Sequence, residues 1–186
     1  NDQFIRIYGA GSSAIYVQIG AVAYTFDATA TTSAADISGW IHIVLTRSGV
    51  TGKIYINGAL TETHTDDEAG SPTAWSADTT FDTIGAKEGT NGNYTTGCIN
   101  EVSAWSSTFT LAQVQELFND GVALDAEKHT SVGNLVGYWR NGGASAPQWD
   151  DIKGSNDGTP SGSPVTALIP EGTTAGKDIL GFPLTH

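Results

Sequence analysis

Apolar and polar residues alternate in short runs through the first third of the chain, each run closed by glycine or a polar turn. QFIRIYG (3–9), AIYVQIG (14–20) and AVAYTFD (21–27) are rich in β-branched and aromatic residues and predict successive antiparallel strands. The segment 37–60, ISGWIHIVLTRSGVTGKIYINGAL, predicts a hairpin. WIHIVLTR forms its first strand, SGVTG turns the chain, and KIYING forms the second strand, ended by the turn signal Asn57-Gly58. In the first strand Ile41, Ile43 and Leu45 share one face, while Trp40, His42, Val44 and Thr46 share the other. Both faces are largely apolar, which predicts a central strand.

Beyond the hairpin the pattern is more broken. Residues 61–80, TETHTDDEAGSPTAWSADTT, are polar and turn-rich and read as a solvated connection. FDTIGA (81–86) predicts a short strand, KEGTNGNYTTG (87–97) a glycine-rich loop, and GCINEVSAW (97–105) another strand. One helix stands out, LAQVQELFND at 111–120. Thr110 and Gln113 have capping-box spacing, Leu111, Val114, Leu117 and Phe118 form an apolar stripe, and Gly121 stands where a C-terminal cap is wanted. This helix is expected against an edge or end of the sheets. LVGYWR (135–140) and a strand around DGTPSG (157–162) return to the strand pattern, with VTALI (165–169) as a candidate edge strand.

Composition narrows the picture. Only 15% of the 186 residues are charged and 23 are glycine, which favours many short strands over a helical bundle. The length suits one domain, taken as 1–159, with a Pro/Gly-rich tail at 160–186 that packs on the domain or on a neighbour. A net charge of −12 repels phosphates and anionic membrane surfaces, so no nucleic acid partner is expected. No apolar run approaches the roughly 18 residues that span a bilayer, so no membrane insertion is expected. Cys98 is the only cysteine and allows no intrachain disulfide. The chain lacks Met and opens within a strand-like run, which predicts further residues upstream of Asn1.

The Trp40-led strand, the hairpin with Tyr55-Ile-Asn57-Gly58, the Thr83-Ile-Gly85 strand and the Ile99-Asn-Glu101-Val strand leading into a short helix resemble, over residues 40–121, the laminin G-like branch of the concanavalin A-like lectin and glucanase superfamily. The resemblance implies an all-β fold, a two-sheet antiparallel jelly-roll sandwich with one short helix. Strand physics points the same way, because period-2 strands with frequent turns bury their apolar faces by pairing two sheets. In many such proteins a segment like Leu135-Val-Gly-Tyr138-Trp139 followed by Gly154-Ser-Asn-Asp-Gly-Thr159 opens the sandwich; here it follows the helix. Residues 134–159 are therefore expected to supply closing strands of the same sandwich, with Tyr138 or Trp139 buried beside the N-terminal strands. The arrangement also resembles laminin G-like proteins encoded by bacteriophages.

Hydrolases of the laminarinase type in this superfamily carry Glu-x-Asp-x-x-Glu on one strand, a motif this sequence lacks, so no enzymatic activity is expected. Many of its lectins hold calcium near their binding loops. Glu62, Asp66, Asp67 and Glu68 are the candidate Ca²⁺ ligands, since hard cations take several carboxylate oxygens. If 62–68 were extended, Glu62, His64, Asp66 and Glu68 would share one face, although a solvated loop is the first reading. Asn91, Asn93 and Tyr94 form a small polar loop with one aromatic ring, suited to sugar hydroxyls and a pyranose face, and Trp75 is a candidate stacking platform. A plain Asn-Gly turn is the simpler account of that loop. Trp40, Trp105 and Trp139 are expected in the core. The expected function is a non-catalytic glycan-binding or adhesion module on an extracellular or virion surface. Its partners would be a glycan or cell-surface polysaccharide, copies of itself or other virion proteins. A purely structural virion subunit is the alternative, and a polysaccharide hydrolase the third.

Overall fold

The computed structural model describes residues 4–9, 14–21, 24–31, 41–49, 51–65, 84–85, 99–122, 124–140 and 149–160, with backbone only through residue 31. Most of these residues are strands in antiparallel sheets, accompanied by one short helix.

The N-terminal sheet has the order β1 (Phe4–Gly9), β2 (Ala14–Ala21), β3 (Tyr24–Thr31). Its register runs Phe4↔Gly20 to Gly9↔Ile15 and Ala14↔Thr31 to Ala21↔Tyr24. The apolar run at 21–27 is thus divided, with Ala21 closing β2 and β3 beginning at Tyr24.

The second sheet has the order β4 (Ile43–Ser48), β5 (Thr51–Ile56), β6 (Ala59–Thr65), and β3 lies against β5 and β6. Asn57 and Gly58 both have positive φ, 50° and 77°. That is the backbone a two-residue hairpin turn needs, and asparagine and glycine adopt it with least strain. The turn is tied back by reciprocal bonds: Asn57 N–H donates to His42 O, and His42 N–H donates to Asn57 Oδ1, each at 2.9 Å.

Among the described residues the middle strand of this sheet is β5; Ile54, Tyr55 and Ile56 are buried on both of its faces, whereas Ile43 to Leu45 are half-buried. Residues 61–65, read as a polar loop, instead continue β6, with Thr61 as an extra residue between the pairs Ile54↔Glu62 and Tyr55↔Leu60. The partner backbone of β5 imposes strand geometry on a sequence with little apolar drive of its own.

The third sheet pairs β7 (Val102–Trp105) with β8 (Leu135–Trp139). Of the strand predicted over 97–105, the described residues 99–101 are not strand, and Glu101 adopts φ +55, a left-handed conformation that ends regular pairing. Ile84 and Gly85, predicted within a strand, form a bend.

Helix α1 (Leu111–Phe118) carries the predicted capping box: Thr110 N–H donates to Gln113 Oε1 at 2.8 Å and Gln113 N–H to Thr110 Oγ1 at 3.3 Å. It stops at Asn119, whose φ of 48° supplies the left-handed cap two positions ahead of the expected Gly121. Val114 is fully buried, Leu117 and Phe118 are half-buried, but Leu111 is 46% exposed and leaves the stripe at the helix entrance.

Tyr55, Phe109 and Val114 form one core cluster, supported by Val44, Trp105 and Leu117. Ala126, Leu135 and Tyr138 form another, supported by Trp105 and Val132. Trp105 joins the two. Between them sits His129, 1% exposed, stacked on Phe109 at 4.9 Å and edge-on to Trp105 at 5.1 Å. Ser131 N–H donates to His129 Nδ1 at 3.0 Å, so the ring proton lies on Nε2 and is donated to Gln113 O at 2.9 Å. The imidazole therefore acts as a polar staple between the helix and the connection to β8.

Tyr138 is fully buried, clustered among the described residues with Ala126 and Leu135 and supported by Trp105 and Val132. Trp139 is half-buried, with its ring over Gly137, where an added Cβ would stand 2.5 Å from Cη2. Among the described residues, the predicted strand at 157–162 is reduced to a single bridge, Trp149↔Gly158. Trp40, Cys98 and VTALI lie outside the described residues.

Candidate functional site

The polar chemistry of the described residues gathers around β8, in two centres on either side of Tyr138. The first is built on Glu101. Its Oε2 accepts the Tyr138 hydroxyl proton, and its Oε1 accepts Asn100 Nδ2–H at 3.3 Å and faces Arg140 Nε at 3.4 Å. Arg140 also reaches Asp125 Oδ2 at 3.7 Å and lies 5.9 Å from the Tyr138 ring centroid. Asp125 caps the short turn at Ala126–Lys128, accepting Glu127 N–H at 3.0 Å, and meets Lys128 at 3.8 Å. Burial, followed by the Glu101 hydrogen bond and charge, pushes the Tyr138 phenol far above its ordinary range. It stays protonated as a donor at neutral pH. The arrangement balances charge and aligns β7 with β8.

The second centre is Asp151, only 5% exposed. Its Oδ1 accepts N–H groups from Tyr138 (2.9 Å), Lys153 (3.2 Å) and Gly154 (2.9 Å), and its Oδ2 accepts the backbone N–H and side-chain amide of Asn156, both at 3.3 Å. Asp151 N–H donates to Asp157 Oδ1 at 2.9 Å. Burial alone pushes this carboxyl up, but the backbone donors of Tyr138, Gly154, Asn156 and Lys153 outweigh it and hold the group below the ordinary carboxylate range. Trp139 Nε1–H donates to Asn156 O at 2.8 Å and fastens the turn over the strand.

Of the residues singled out from sequence, Glu62 is placed on β6 opposite Ile54, half-buried. Asp66, Asp67, Glu68, Trp75, Asn91, Asn93 and Tyr94 lie outside the described residues, so the structure neither assembles nor separates those sets. The described residues do not fit a Ca²⁺ site. Among them no group of three or more His, Cys, Asp or Glu residues converges, and the most enclosed carboxylate, Asp151, has its oxygens filled by N–H donors.

The residues that sequence reasoning passed over are Glu101, Asp125, Arg140 and Asp151. Glu101 hides in a strand-like run, and its pairing with Arg140 spans 39 positions with no local motif. Asp151 had a local signal, because Asp-x-Lys-Gly-x-Asn is the composition of a side-chain-to-backbone turn. None of the described helices is long and apolar enough to cross a membrane.

No curated protein and no solved structure matches the chain. A laminin G family model described as the concanavalin A-like lectin/glucanases superfamily matches residues 1–115, more than half of the sequence. That span holds β1 to β7 and the first half of α1, in the order expected from the sequence. The antiparallel strands and the family match agree, and the chain belongs to the concanavalin A-like lectin/glucanases superfamily.

Proposed function

We propose that this chain is a non-catalytic glycan-binding or adhesion module, a complete two-sheet jelly roll displayed on an extracellular or virion surface. Membership of a superfamily rich in carbohydrate-binding and adhesion modules carries the reading. The state of the charged groups around β8 supports the absence of catalysis. Glu101 has both oxygens engaged, Arg140 bridges Glu101 and Asp125, and Tyr138 is held protonated, so none of these is poised as acid, base or nucleophile. The proposed ligand contacts are Trp75, Asn91, Asn93 and Tyr94, with aromatic rings for a pyranose face and amides for its hydroxyls.

The test is binding of the purified chain to an array of glycans and to intact cell surfaces. Binding is expected, and Trp75→Ala or Tyr94→Ala should weaken it about tenfold, the effect of losing about 1.4 kcal/mol of ring contact. Uniform lack of binding overturns the reading in favour of a structural surface subunit. Calcium at Glu62, Asp66, Asp67 and Glu68 is tested separately: a melting temperature indifferent to both Ca²⁺ and EDTA removes it.

A further inference from the structure

We propose that the turn formed by residues 149–158 is an edge cap that keeps β8 from accepting a further strand, and that opening it lets a second copy of this chain pair along that edge. One edge of β8 is taken by β7. On the other, Tyr138 presents both its N–H and its C=O, since the two groups of one residue in an antiparallel strand point to the same side. A neighbouring strand would satisfy them with one C=O and one N–H. Here the Asp151 carboxylate stands in for the C=O, accepting Tyr138 N–H at 2.9 Å, and Ile152 supplies the N–H, donating to Tyr138 O at 2.8 Å. The bridge Trp139↔Asp151 is the only pairing the segment makes with β8 among the described residues.

The mimicry goes no further because the same carboxylate also takes the N–H groups of Lys153, Gly154 and Asn156, which turns the chain away from the strand. The bridge Trp149↔Gly158 and the Asp151–Asp157 bond close the turn behind it. A second device lies on the strand itself. Trp105 pairs with Leu135 and Ala104 with Gly137, so Val136 is an extra, bulged residue. Bulges and side chains that occupy an edge are the means by which sheets avoid edge-to-edge growth. Val136 and Ile152 are 52% and 43% exposed, an apolar rim beside the capped edge. The occupant of an opened edge is a second β8, because two copies related by a twofold axis present the same groups to each other in antiparallel sense.

The experiment compares Asp151→Ala, Asp151→Asn and Gly154→Ala in the full chain, by sedimentation over a concentration series and by hydrogen exchange at Tyr138. Gly154→Ala places a Cβ 2.5 Å from Asp151 Oδ2, so it pushes the turn out while leaving the carboxylate in the sequence. Asp151→Ala and Gly154→Ala are expected to self-associate about tenfold more tightly than the parent, with the Tyr138 amide exposed when dilute and protected when associated. Asp151→Asn retains the Oδ1 acceptor for that amide and loses only the acceptor of Asn156, so it should associate less than Asp151→Ala. If Asp151→Ala fails to fold, Gly154→Ala decides. Folded variants that associate no more than the parent, or that associate with Tyr138 unprotected, overturn the proposal.

Discussion

The turn between β5 and β6 and the outer edge of β8 solve the same problem, how an antiparallel strand ends its pairing, by opposite means. Asn57 and Gly58 do it locally, with two positive-φ residues and a pair of bonds to His42. At β8 the same task falls to Asp151, 13 positions from the amide it satisfies. The hairpin depends on backbone preference and is read directly from two letters. The edge depends on a buried carboxylate whose donors come from four residues, so its stability is electrostatic and its signature is dispersed. A local turn tolerates loss of one bond; a shared acceptor fails as a unit.

The largest expected effect falls on the dispersed side. Asp151→Ala should cost about 3–5 kcal/mol by urea unfolding, because the N–H groups of Tyr138, Lys153, Gly154 and Asn156 lose their shared acceptor together and the turn opens. A loss near 1 kcal/mol would show that water replaces the carboxylate and would erase the contrast. Next comes Gly58→Ala, which adds a Cβ 2.7 Å from Phe118 Cδ1 at a φ of +77°. About 2–4 kcal/mol is expected from crowding and left-handed strain combined.

Acid separates the two regions. Burial lowers the His42 imidazole from 6.5 to about 4, and among the described residues its Nδ1 is a buried nitrogen with no hydrogen-bond partner. The folded state therefore favours the neutral ring. Its contribution is complete above pH 6.5 and is lost as pH falls from 6.5 to about 4, up to about 3 kcal/mol. Asp151 is also lowered, so its contribution is present above 3.8 and is lost only below that value. Unfolding free energy against pH should fall in two windows, and His42→Phe should flatten the upper one alone. The smallest effect belongs to Asn57→Gly, which keeps the turn's φ but deletes the acceptor of His42 N–H, for about 1 kcal/mol in thermal unfolding.

Several elements were legible because their cause is local. The Thr110–Gln113 box, the Asn57-Gly58 turn and the strands at 4–9 and 14–21 match their sequence patterns to within a residue or two. Other features needed partners. Thr61 to Thr65 are a strand only because β5 pairs with them. Leu111 fits the helix stripe yet is exposed. Glu101 escaped notice because Tyr138 and Arg140 reach it from far along the chain, whereas Asp66, Asp67 and Glu68 drew attention by being adjacent.

By itself the sequence determined the antiparallel strand content, the helix start, the hairpin turns and the superfamily, all of which follow from period, φ preference and capping between near neighbours. Only the tertiary structure decided that β6 runs on through Thr65, that His129 is spent as a staple between α1 and the β8 connection, and that Glu101 takes the Tyr138 hydroxyl while Asp151 takes its backbone N–H. Those outcomes depend on which groups are brought together after the chain has folded, and a buried polar group takes whatever partner that folding supplies.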